Sequence, residues 1–339
     1  MKRALNNILK ICVPFILGAG ILYWMYRETA WEEVRNVLLY KMNWGWMALS
    51  LMFGILPQML RGWRWHQTLT PLDEYPRKQV CVYSIFVSYA SSLLIPRVGE
   101  ITRCATLARY EGTSFSKAVG TVVTERIVDS LFMLVVTGIT LLAQMGVFLH
   151  FFQTTGTSFD SFFSRFSATG YFVTSVCLIA AVVLGGVLVW RLSMFQRIKG
   201  VVLDLWTGIS SLRRVRNLPL YLFYSVAIWA CYYMHLYLTF FCFDFTNALG
   251  PVDALVVFCV GSYAVLVPTP NGAGPWHFAV KTMLVLYGVA ANDAIVFALV
   301  VHTLQTALII VLGTYGATAL SLLKVRKNTP AFTYKPNKS

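Results

Sequence analysis

Two long apolar stretches of the sequence are interrupted in the middle by proline, glycine and charged residues. The first break reads SSLLIPRVGEITR, from Ser91 to Arg103, and the second break reads VPTPNGAGPWHF, from Val267 to Phe278. Irregular backbone leaves N–H and C=O groups unpaired, so at membrane depth it is stable only where protein or a polar cavity covers it. Paired interruptions in two halves of a chain also indicate a binding site near the bilayer midplane. We therefore expect the functional site at these two breaks.

The composition predicts an all-α polytopic membrane protein. Hydrophobic residues make up 57% of the 339 residues and charged residues only 12%, whereas a soluble domain has about 25% charged residues. The net charge of +14 is spread over short basic clusters between apolar runs. That pattern is typical of cytoplasmic loops facing anionic lipid, and it argues against a nucleic-acid partner. Lys2, Arg3 and Lys10 before the run from Ile11 to Tyr26 predict an uncleaved signal anchor.

Six stretches reach the length of about 20 apolar residues that a full span requires. They cover about 8–26, 43–62, 117–148, 169–190, 218–242 and 292–323. Two others, about 79–110 and 252–290, contain the breaks and are predicted to form re-entrant helical hairpins. We interpret 1–324 as one membrane domain and 325–339 as a short basic cytoplasmic tail. The stretch 195–212 has amphipathic spacing and is either a helix on the inner leaflet or a plain connector.

The positive-inside rule fixes the predicted orientation. With both termini in the cytoplasm and the protein in the cell (inner) membrane, most loop Lys and Arg residues lie inside, and the outer loops hold Arg27, Arg35, Lys41 and Arg165. The same arrangement opens the first hairpin toward the inner face and the second toward the outer face. The two breaks would then approach each other from opposite sides.

Seven charged residues lie in segments predicted at membrane depth: Arg97, Glu100, Arg103, Glu125, Arg126, Asp129 and Lys281. Each costs about 2.5–3.5 kcal/mol at a helix centre, so they must pair or face water. A helix beginning at Pro96 would place Glu100 between Arg97 and Arg103, and Arg126 would reach Asp129 three residues on. The charges of the first hairpin and of Glu125 to Asp129 are expected to interlock.

These charges have two interpretations. In one, they are a structural ion-pair cluster that closes the hairpin. In the other, the basic residues exceed the acidic ones and bind an anionic headgroup, because guanidinium binds phosphate in a bidentate fork. The candidate headgroup ligands are Arg64, Arg97, Arg103 and Arg126, oriented by Glu100, Glu125 and Asp129. The membrane partner would be an anionic phospholipid or a polyprenyl phosphate.

The second break supplies a further set of candidate ligands. Gly272 and Gly274 would let backbone N–H groups approach a ligand, Asn271 adds an amide, and His277 can titrate or donate to an oxyanion. A tight intramembrane turn requires the same small residues, so the pattern alone does not decide between the two roles. Lys281 is a possible coupling site.

No motif indicates a metal or cofactor. The seven cysteines and five histidines are scattered, without C-x-x-C or H-E-x-x-H spacing, and the sequence has no Walker motif. We therefore expect no metal and no cofactor. Because no ATP site is evident, any transport would be passive or driven by an ion gradient.

Four motifs in order resemble one known family. They are RGWRW (Arg61 to Trp65), PRVGEITR (Pro96 to Arg103), ERIVD (Glu125 to Asp129) and PTPNGAG (Pro268 to Gly274). Together they resemble the lysylphosphatidylglycerol synthase transmembrane region, also called the flippase-like domain family. The resemblance implies a helical membrane fold with re-entrant elements and a role in moving or handling lipids or lipid-linked intermediates.

The resemblance also implies what to expect beyond the membrane region. Some relatives carry a soluble aminoacyl-transferase domain, which we expect to be absent because the sequence ends at Ser339, soon after the last predicted span. The family's second break more often has a glycine where this chain has Asn271, and an acidic residue near the position of His277. These two differences argue against an acid-based role for the second hairpin.

Three functions remain open from the sequence. The first is flippase-like or scramblase-like translocation, or handling, of the anionic lipid. The second is an intramembrane transferase with Glu125 or Asp129 as base, although no nucleophile with a partner base is evident. The third is a non-catalytic subunit that partners a lipid-modifying enzyme. The sequence does not indicate an oligomeric state.

Overall fold

The computed structural model describes residues 18–27, 31–144, 215 and 217–326. Ten helices and no β-strand form these ranges. They are α1 (18–26), α2 (Trp31–Asn36, continued by a π-helix Val37–Lys41), α3 (Trp44–Leu69), α4 (Lys78–Leu94), α5 (Val98–Glu111), α6 (Phe115–Ala143), α7 (Leu218–Phe240), α8 (Pro251–Ala264), α9 (Pro275–Leu286) and α10 (Ala291–Ser321). The prediction of an all-helical chain is confirmed for this part of the sequence.

Local sequence signals begin several of these helices. The side chain of Asn43 accepts hydrogen bonds from the N–H groups of Gly45 and Trp46 at the start of α3. Pro251 and Pro275 occupy the first turns of α8 and α9, where the missing proline N–H costs nothing.

Two of the described helices, α6 and α10, are long and apolar enough to cross a membrane. They correspond to the predicted spans 117–148 and 292–323. Helices α3 and α7 match the predicted spans 43–62 and 218–242, and they contain 26 and 23 residues. Of the predicted span 8–26, residues 18–26 are described and helical. The predicted span 169–190, the stretch 195–212 and most of the tail lie outside the described residues.

Each break separates two short helices, as the sequence predicts. The first pair, α4 and α5, has 17 and 14 residues, and the second pair, α8 and α9, has 14 and 12. All four are shorter than the roughly 20 residues that cross a bilayer. Their lengths agree with helices that turn back inside the membrane.

One detail of the first break differs from the prediction that a helix begins at Pro96. Ile95 is extended, with φ −134°, because a residue that precedes proline is disfavoured in the α region. Arg97 follows in the left-handed region with φ 64°, and α5 begins only at Val98. Arg97 therefore lies in the turn and does not share a helical face with Glu100 and Arg103.

The first helix pair opens at the end of the bundle where α10 terminates. There the N–H of Arg326 donates to the carbonyl of Tyr110 over 3.0 Å, and Nη2 of Arg77 donates to the carbonyl of Lys324 over 3.0 Å. Arg77 also forms an ion pair with Glu111. These bonds attach the base of the α4–α5 pair to the C-terminal end of α10.

The second helix pair opens at the opposite end. There Nε2 of Gln144, directly after α6, donates to Asp253 over 3.2 Å. The hydroxyl of Tyr233, in the second half of α7, donates to the carbonyl of Pro251 over 2.7 Å. Since α6 begins at the end where α10 terminates, the two pairs enter the bundle from opposite ends and their turns meet between them.

Close backbone packing brings the first pair against its neighbours. A Cβ added to Gly99 would lie 2.2 Å from the carbonyl oxygen of Ser88, and one added to Gly62 would lie 2.6 Å from Cα of Val82. Only glycine permits these approaches, which set α5 against α4 and α4 against α3. The arginines on either side of Gly62 are thereby held beside the first hairpin.

Candidate functional site

A cavity of about 230 Å³ lies where the turns of the two breaks meet. Helices α3, α4, α5 and α6 form part of its wall, and the second break forms the rest. Six residues proposed from the sequence line it: Arg97, Glu100, Arg103, Arg126, Asn271 and Gly272. The ligand candidates of both breaks are thus brought to one place, although they are far apart in the sequence.

Glu125 and Asp129 of α6 are the acidic centre of an ion-pair cluster behind this cavity. Oε2 of Glu125 lies 2.8 Å from Nη1 of Arg103, and Oδ1 of Asp129 lies 2.8 Å from Nη2 of Arg64. Arg61 approaches Asp129 to 3.2 Å. The cluster joins α3, α5 and α6, and it includes the predicted contact between the first hairpin and α6. Pairing offsets the cost of burying these charges.

A second, more open ion pair lies at the cavity wall. Nε of Arg126 is 3.2 Å from Oε1 of Glu100, and both side chains are nearly half exposed, at 42% and 45%. Nη2 of Arg126 is also 3.3 Å from Asp129, the contact predicted from their spacing. Because Arg126 and Glu100 remain accessible, an incoming anion can replace the carboxylate as the partner of Arg126.

Arg103 has an unused donor although it is almost fully enclosed. Its side chain is 2% exposed, and its guanidinium lies over the ring of Trp65 at 4.9 Å. Nη2 makes no hydrogen bond within the described part of the chain. Arg103 therefore contributes to the cavity wall and has a buried donor without a hydrogen-bond partner among the described residues.

Arg97 connects the two breaks. Its Nη2 donates to the carbonyl oxygen of Leu266 over 2.8 Å, and its side chain is exposed. No carboxylate among the described residues pairs with it. The remaining guanidinium N–H groups are free to bind an anion in the cavity.

The described charges around the cavity do not balance. Five arginines, Arg61, Arg64, Arg97, Arg103 and Arg126, accompany three carboxylates, Glu100, Glu125 and Asp129. The excess of basic residues expected from the sequence also included Lys281. In the structure Lys281 lies partly buried on α9 and does not line this cavity. Among the described residues no group of His, Cys, Asp or Glu is arranged to hold a metal ion.

Arg64 occupies a different place from the other headgroup candidates. It is completely buried between Glu125 and Asp129, donates to Ser225 over 3.1 Å, and lies 5.7 Å from the ring centre of Tyr221. It does not line the cavity. Its position suits orientation of the two carboxylates, and direct contact with a headgroup would require the cluster to open.

The second break is a tight turn whose N–H groups are mostly used internally. The N–H of Gly272 donates to the carbonyl of Thr269 over 3.2 Å, and the N–H of Gly274 donates to Nδ1 of His277 over 3.3 Å. Both glycines have positive φ, 72° and 90°. In this structure they form the turn, and their N–H groups are not presented to a ligand as the sequence suggested.

Asn271 stands between the cavity and a second, more apolar one of about 480 Å³. Its Nδ2 donates to Thr306 over 3.0 Å, and its carbonyl accepts from Nε2 of His302 over 3.1 Å. His277 lines the second cavity only, with its ring centre 4.3 Å from that of His302. Of the second-break candidates, Asn271 and Gly272 therefore reach the arginines, whereas Gly274 and His277 do not.

One protein-family model matches most of the chain. A family model described as the lysylphosphatidylglycerol synthase TM region matches residues 11–313. The chain belongs to the lysylphosphatidylglycerol synthase TM region family. No curated protein and no solved structure matches the chain.

Membership of the lysylphosphatidylglycerol synthase TM region makes this a helical membrane protein with a function related to membrane lipids. The four motifs behind the resemblance all reach the same site. RGWRW supplies Arg61 and Arg64, PRVGEITR supplies the turn and Arg103, ERIVD supplies the carboxylates, and PTPNGAG supplies Asn271. The motifs thus describe one three-dimensional cluster.

Several residues at this site were not identified from the sequence. Tyr89 lines the cavity, and its hydroxyl lies 2.9 Å from the hydroxyl of Tyr232. His302 and Thr306 of α10 hold Asn271. Tyrosines are frequent in this chain and fit an interfacial belt equally well, so their position in the sequence carried no specific signal.

Proposed function

We propose that this protein moves an anionic lipid across the membrane, in the manner of a flippase or scramblase, with the phosphate-bearing headgroup passing through the cavity between the two breaks. The substrate class is an anionic phospholipid or a polyprenyl-phosphate-linked lipid. Arg97, Arg103 and Arg126 bind the headgroup, and Glu100, Glu125 and Asp129 hold the arginines in position.

The opposed entry of the two helix pairs supports a path through the protein. The α4–α5 pair opens at one end of the bundle and the α8–α9 pair at the other, and the cavity lies where their turns meet. A site near the middle of the membrane between two oppositely oriented elements is the arrangement of many transporters that use alternating access.

The observation that carries the proposal is the position of Arg97. It lies in the turn of the first break, on the cavity wall, bonded to the second break and without a carboxylate partner among the described residues. A cation held at membrane depth is costly, and an arriving phosphate would supply the missing negative charge. Arg103, which also lines the cavity, provides a second guanidinium for the same anion.

The direction of insertion and the source of energy belong to the proposal as well. The basic residues at the base of the first pair, among them Arg77 and Lys117, favour the cytoplasm for that end, with the protein in the cell (inner) membrane. Transport is then passive or coupled to an ion gradient. The candidates for coupling are Lys281 on α9 and Asp293 in the first turn of α10.

The test is reconstitution of the purified protein in vesicles made from the host's own lipid extract. The rate at which inner-leaflet phosphate headgroups become accessible outside is measured for wild type, Arg97→Ala and Arg109→Ala. Arg109 is a matched control, because it is an exposed arginine of α5 that does not line the cavity. Unfolding temperatures show that all three proteins are folded.

We expect wild type and Arg109→Ala to accelerate headgroup movement and Arg97→Ala to abolish it. Equal acceleration by all three would show that Arg97 does not bind the headgroup. If folded wild type gives no acceleration, translocation is rejected. A covalently altered lipid would then favour the intramembrane transferase, and loss of a partner enzyme's stability on deletion would favour the subunit of a lipid-modifying complex.

A further inference from the structure

The hydroxyl of Tyr89 lies at the end of a chain of polar contacts that begins in the ion-pair cluster. Asp129 holds Arg61 at 3.2 Å, Nε of Arg61 donates to the hydroxyl of Tyr232 over 3.1 Å, and that hydroxyl lies 2.9 Å from the hydroxyl of Tyr89. Tyr89 and Arg61 line the cavity, and Tyr232 lies behind them. The chain therefore leads from a buried carboxylate to the cavity wall.

The chemistry of the first donor sets the direction of this chain. A guanidinium has no acceptor, so the hydroxyl oxygen of Tyr232 must accept from Arg61. Tyr232 then has its own proton to donate, and the oxygen of Tyr89 is the one acceptor within reach among the described residues. Because a buried donor without a partner is costly, the proton of Tyr232 points toward Tyr89.

The hydroxyl of Tyr89 thus receives a hydrogen bond and keeps its own proton for another acceptor. No carbonyl, carboxylate or hydroxyl in the described part of the chain takes that proton apart from Tyr232, whose proton already points the other way. We propose that Tyr89 is a neutral hydrogen-bond donor to a phosphoryl oxygen bound in the cavity, and that Arg61 and Tyr232 are positioning residues that fix its donating direction. This inference rests on the proposed function, since the phosphoryl group is that of the same lipid.

A neutral donor has a different effect from another arginine. Arg97, Arg103 and Arg126 supply positive charge, and a further cation would hold an anion too firmly for a site through which it must pass, because conduction requires binding that is weak enough to release. A hydroxyl adds a directional bond and no charge. A phosphoryl group bound by the arginines keeps further oxygen atoms that can accept this bond.

The experiment compares Tyr89→Phe, Tyr232→Phe and the double variant in the reconstituted headgroup assay described above. Tyr83→Phe is the matched control, because Tyr83 is on the same helix, contacts Tyr315 and does not line the cavity. Arg97→Ala is measured in parallel. The same proteins are assayed with inorganic phosphate added on both sides of the vesicles as a soluble competitor.

We expect Tyr89→Phe to slow headgroup movement about tenfold, the factor for losing one hydrogen bond to a charged group, and Tyr83→Phe to leave the rate unchanged. Tyr232→Phe should cost less, because Tyr89 keeps its proton but loses its fixed direction. The Tyr89→Phe effect should persist in the Tyr232→Phe background. A purely structural bond between the two hydroxyls predicts equal single effects and no further loss in the double variant, and that result would overturn the inference.

The arms of the experiment separate the possible failures. If Arg97→Ala abolishes movement and Tyr89→Phe behaves like Tyr83→Phe, the proposed function stands and the role of Tyr89 is rejected. If folded wild type gives no acceleration, the proposed function fails and the inference with it. If wild type is active and Arg97→Ala has no effect, only the role of Arg97 fails, and Tyr89→Phe is judged against wild type. Inhibition by inorganic phosphate that weakens in Tyr89→Phe assigns the hydrogen bond to the phosphate group itself. If Tyr89→Phe is slowed and inorganic phosphate inhibits none of the variants, the site binds the phosphate only as part of the lipid, and the hydrogen bond is assigned to the lipid's phosphate.

Discussion

The guanidinium of Arg97 donates to the carbonyl of Leu266 across 169 positions of sequence. This bond joins the turns of two helix pairs that enter the bundle from opposite ends. The carbonyl of Leu266 belongs to irregular backbone, which must find a partner at membrane depth. A side chain of the first break thus satisfies the backbone of the second, and the site exists only when both breaks are folded.

Gly99→Ala tests the packing that positions the first break. Its Cβ would lie 2.2 Å from the carbonyl oxygen of Ser88, so α5 must move away from α4. We expect the free energy of unfolding to fall by about 1–3 kcal/mol, as for other overpacked sites. Gly138→Ala is the control, because nothing lies within 4 Å of a Cβ at that helical position. Thermal unfolding in detergent measures both, and equal stability of the two variants would contradict the close approach.

Arg103 and Glu125 test the buried ion pair. Arg103→Met leaves a buried carboxylate with one fewer partner, and Glu125→Gln leaves a buried guanidinium unpaired. We expect each single variant to lose about 3–5 kcal/mol of unfolding free energy. The double variant should lose less than the sum, since removal of both partners leaves neither charge buried without its counterpart. A double-mutant cycle by thermal unfolding measures the coupling, and additive losses would show that the two side chains do not interact.

Lys41 and Lys117 test the opposed orientation of the two ends. Lys41 ends the π-helix just before α3, and Lys117 lies in the first turn of α6 at the other end. A membrane-impermeant maleimide should label Lys41→Cys in intact cells and Lys117→Cys only after the membrane is permeabilised. Wild type, with its native cysteines, gives the background. Labelling of both variants from the same side would reject the predicted orientation.

Asn271 tests the turn of the second break. The residue has φ 51°, a conformation that glycine adopts freely and a β-branched residue resists. Asn271→Gly should therefore change stability little, because relief of the backbone offsets the lost bond to Thr306. Asn271→Val should cost about 1–3 kcal/mol. Thr306→Val removes the same side-chain bond without changing the backbone, and it should unfold at a temperature between the two. A stability of Asn271→Val equal to that of Asn271→Gly would argue against the left-handed turn.

The sequence predicted the helix pairs because their signals are local. Pro96 ends an apolar run, and Pro275 begins the next helix after two glycines, so the positions of both breaks follow from backbone chemistry. The pairing of Arg126 with Asp129 follows from helical spacing. The contact of Arg103 with Glu125 joins neighbouring helices in the chain, and burial of opposite charges required some such pair.

Other features depend on contacts that no local pattern encodes. The sequence favours a helix that begins at Pro96, but the turn takes two more residues and places Arg97 in a left-handed conformation. Arg64 and Arg103 are both arginines within the motifs, and the sequence does not distinguish their roles. In the structure α7 packs against Arg64 and encloses it with Ser225 and Tyr221. The bond of Tyr89 with Tyr232 spans 143 positions. A single sequence contains no pattern that would predict contact between two hydroxyls so far apart.

Helix α10 holds both helix pairs at different heights. Near its middle, His302 and Thr306 hold Asn271 of the second break, and just beyond its C-terminal end Lys324 and Arg326 are tied to the base of the first pair. A rigid rod attached at two levels transmits axial displacement from one attachment to the other. Helix α10 therefore fixes the spacing along its axis between the turn of the second break and the base of the first pair.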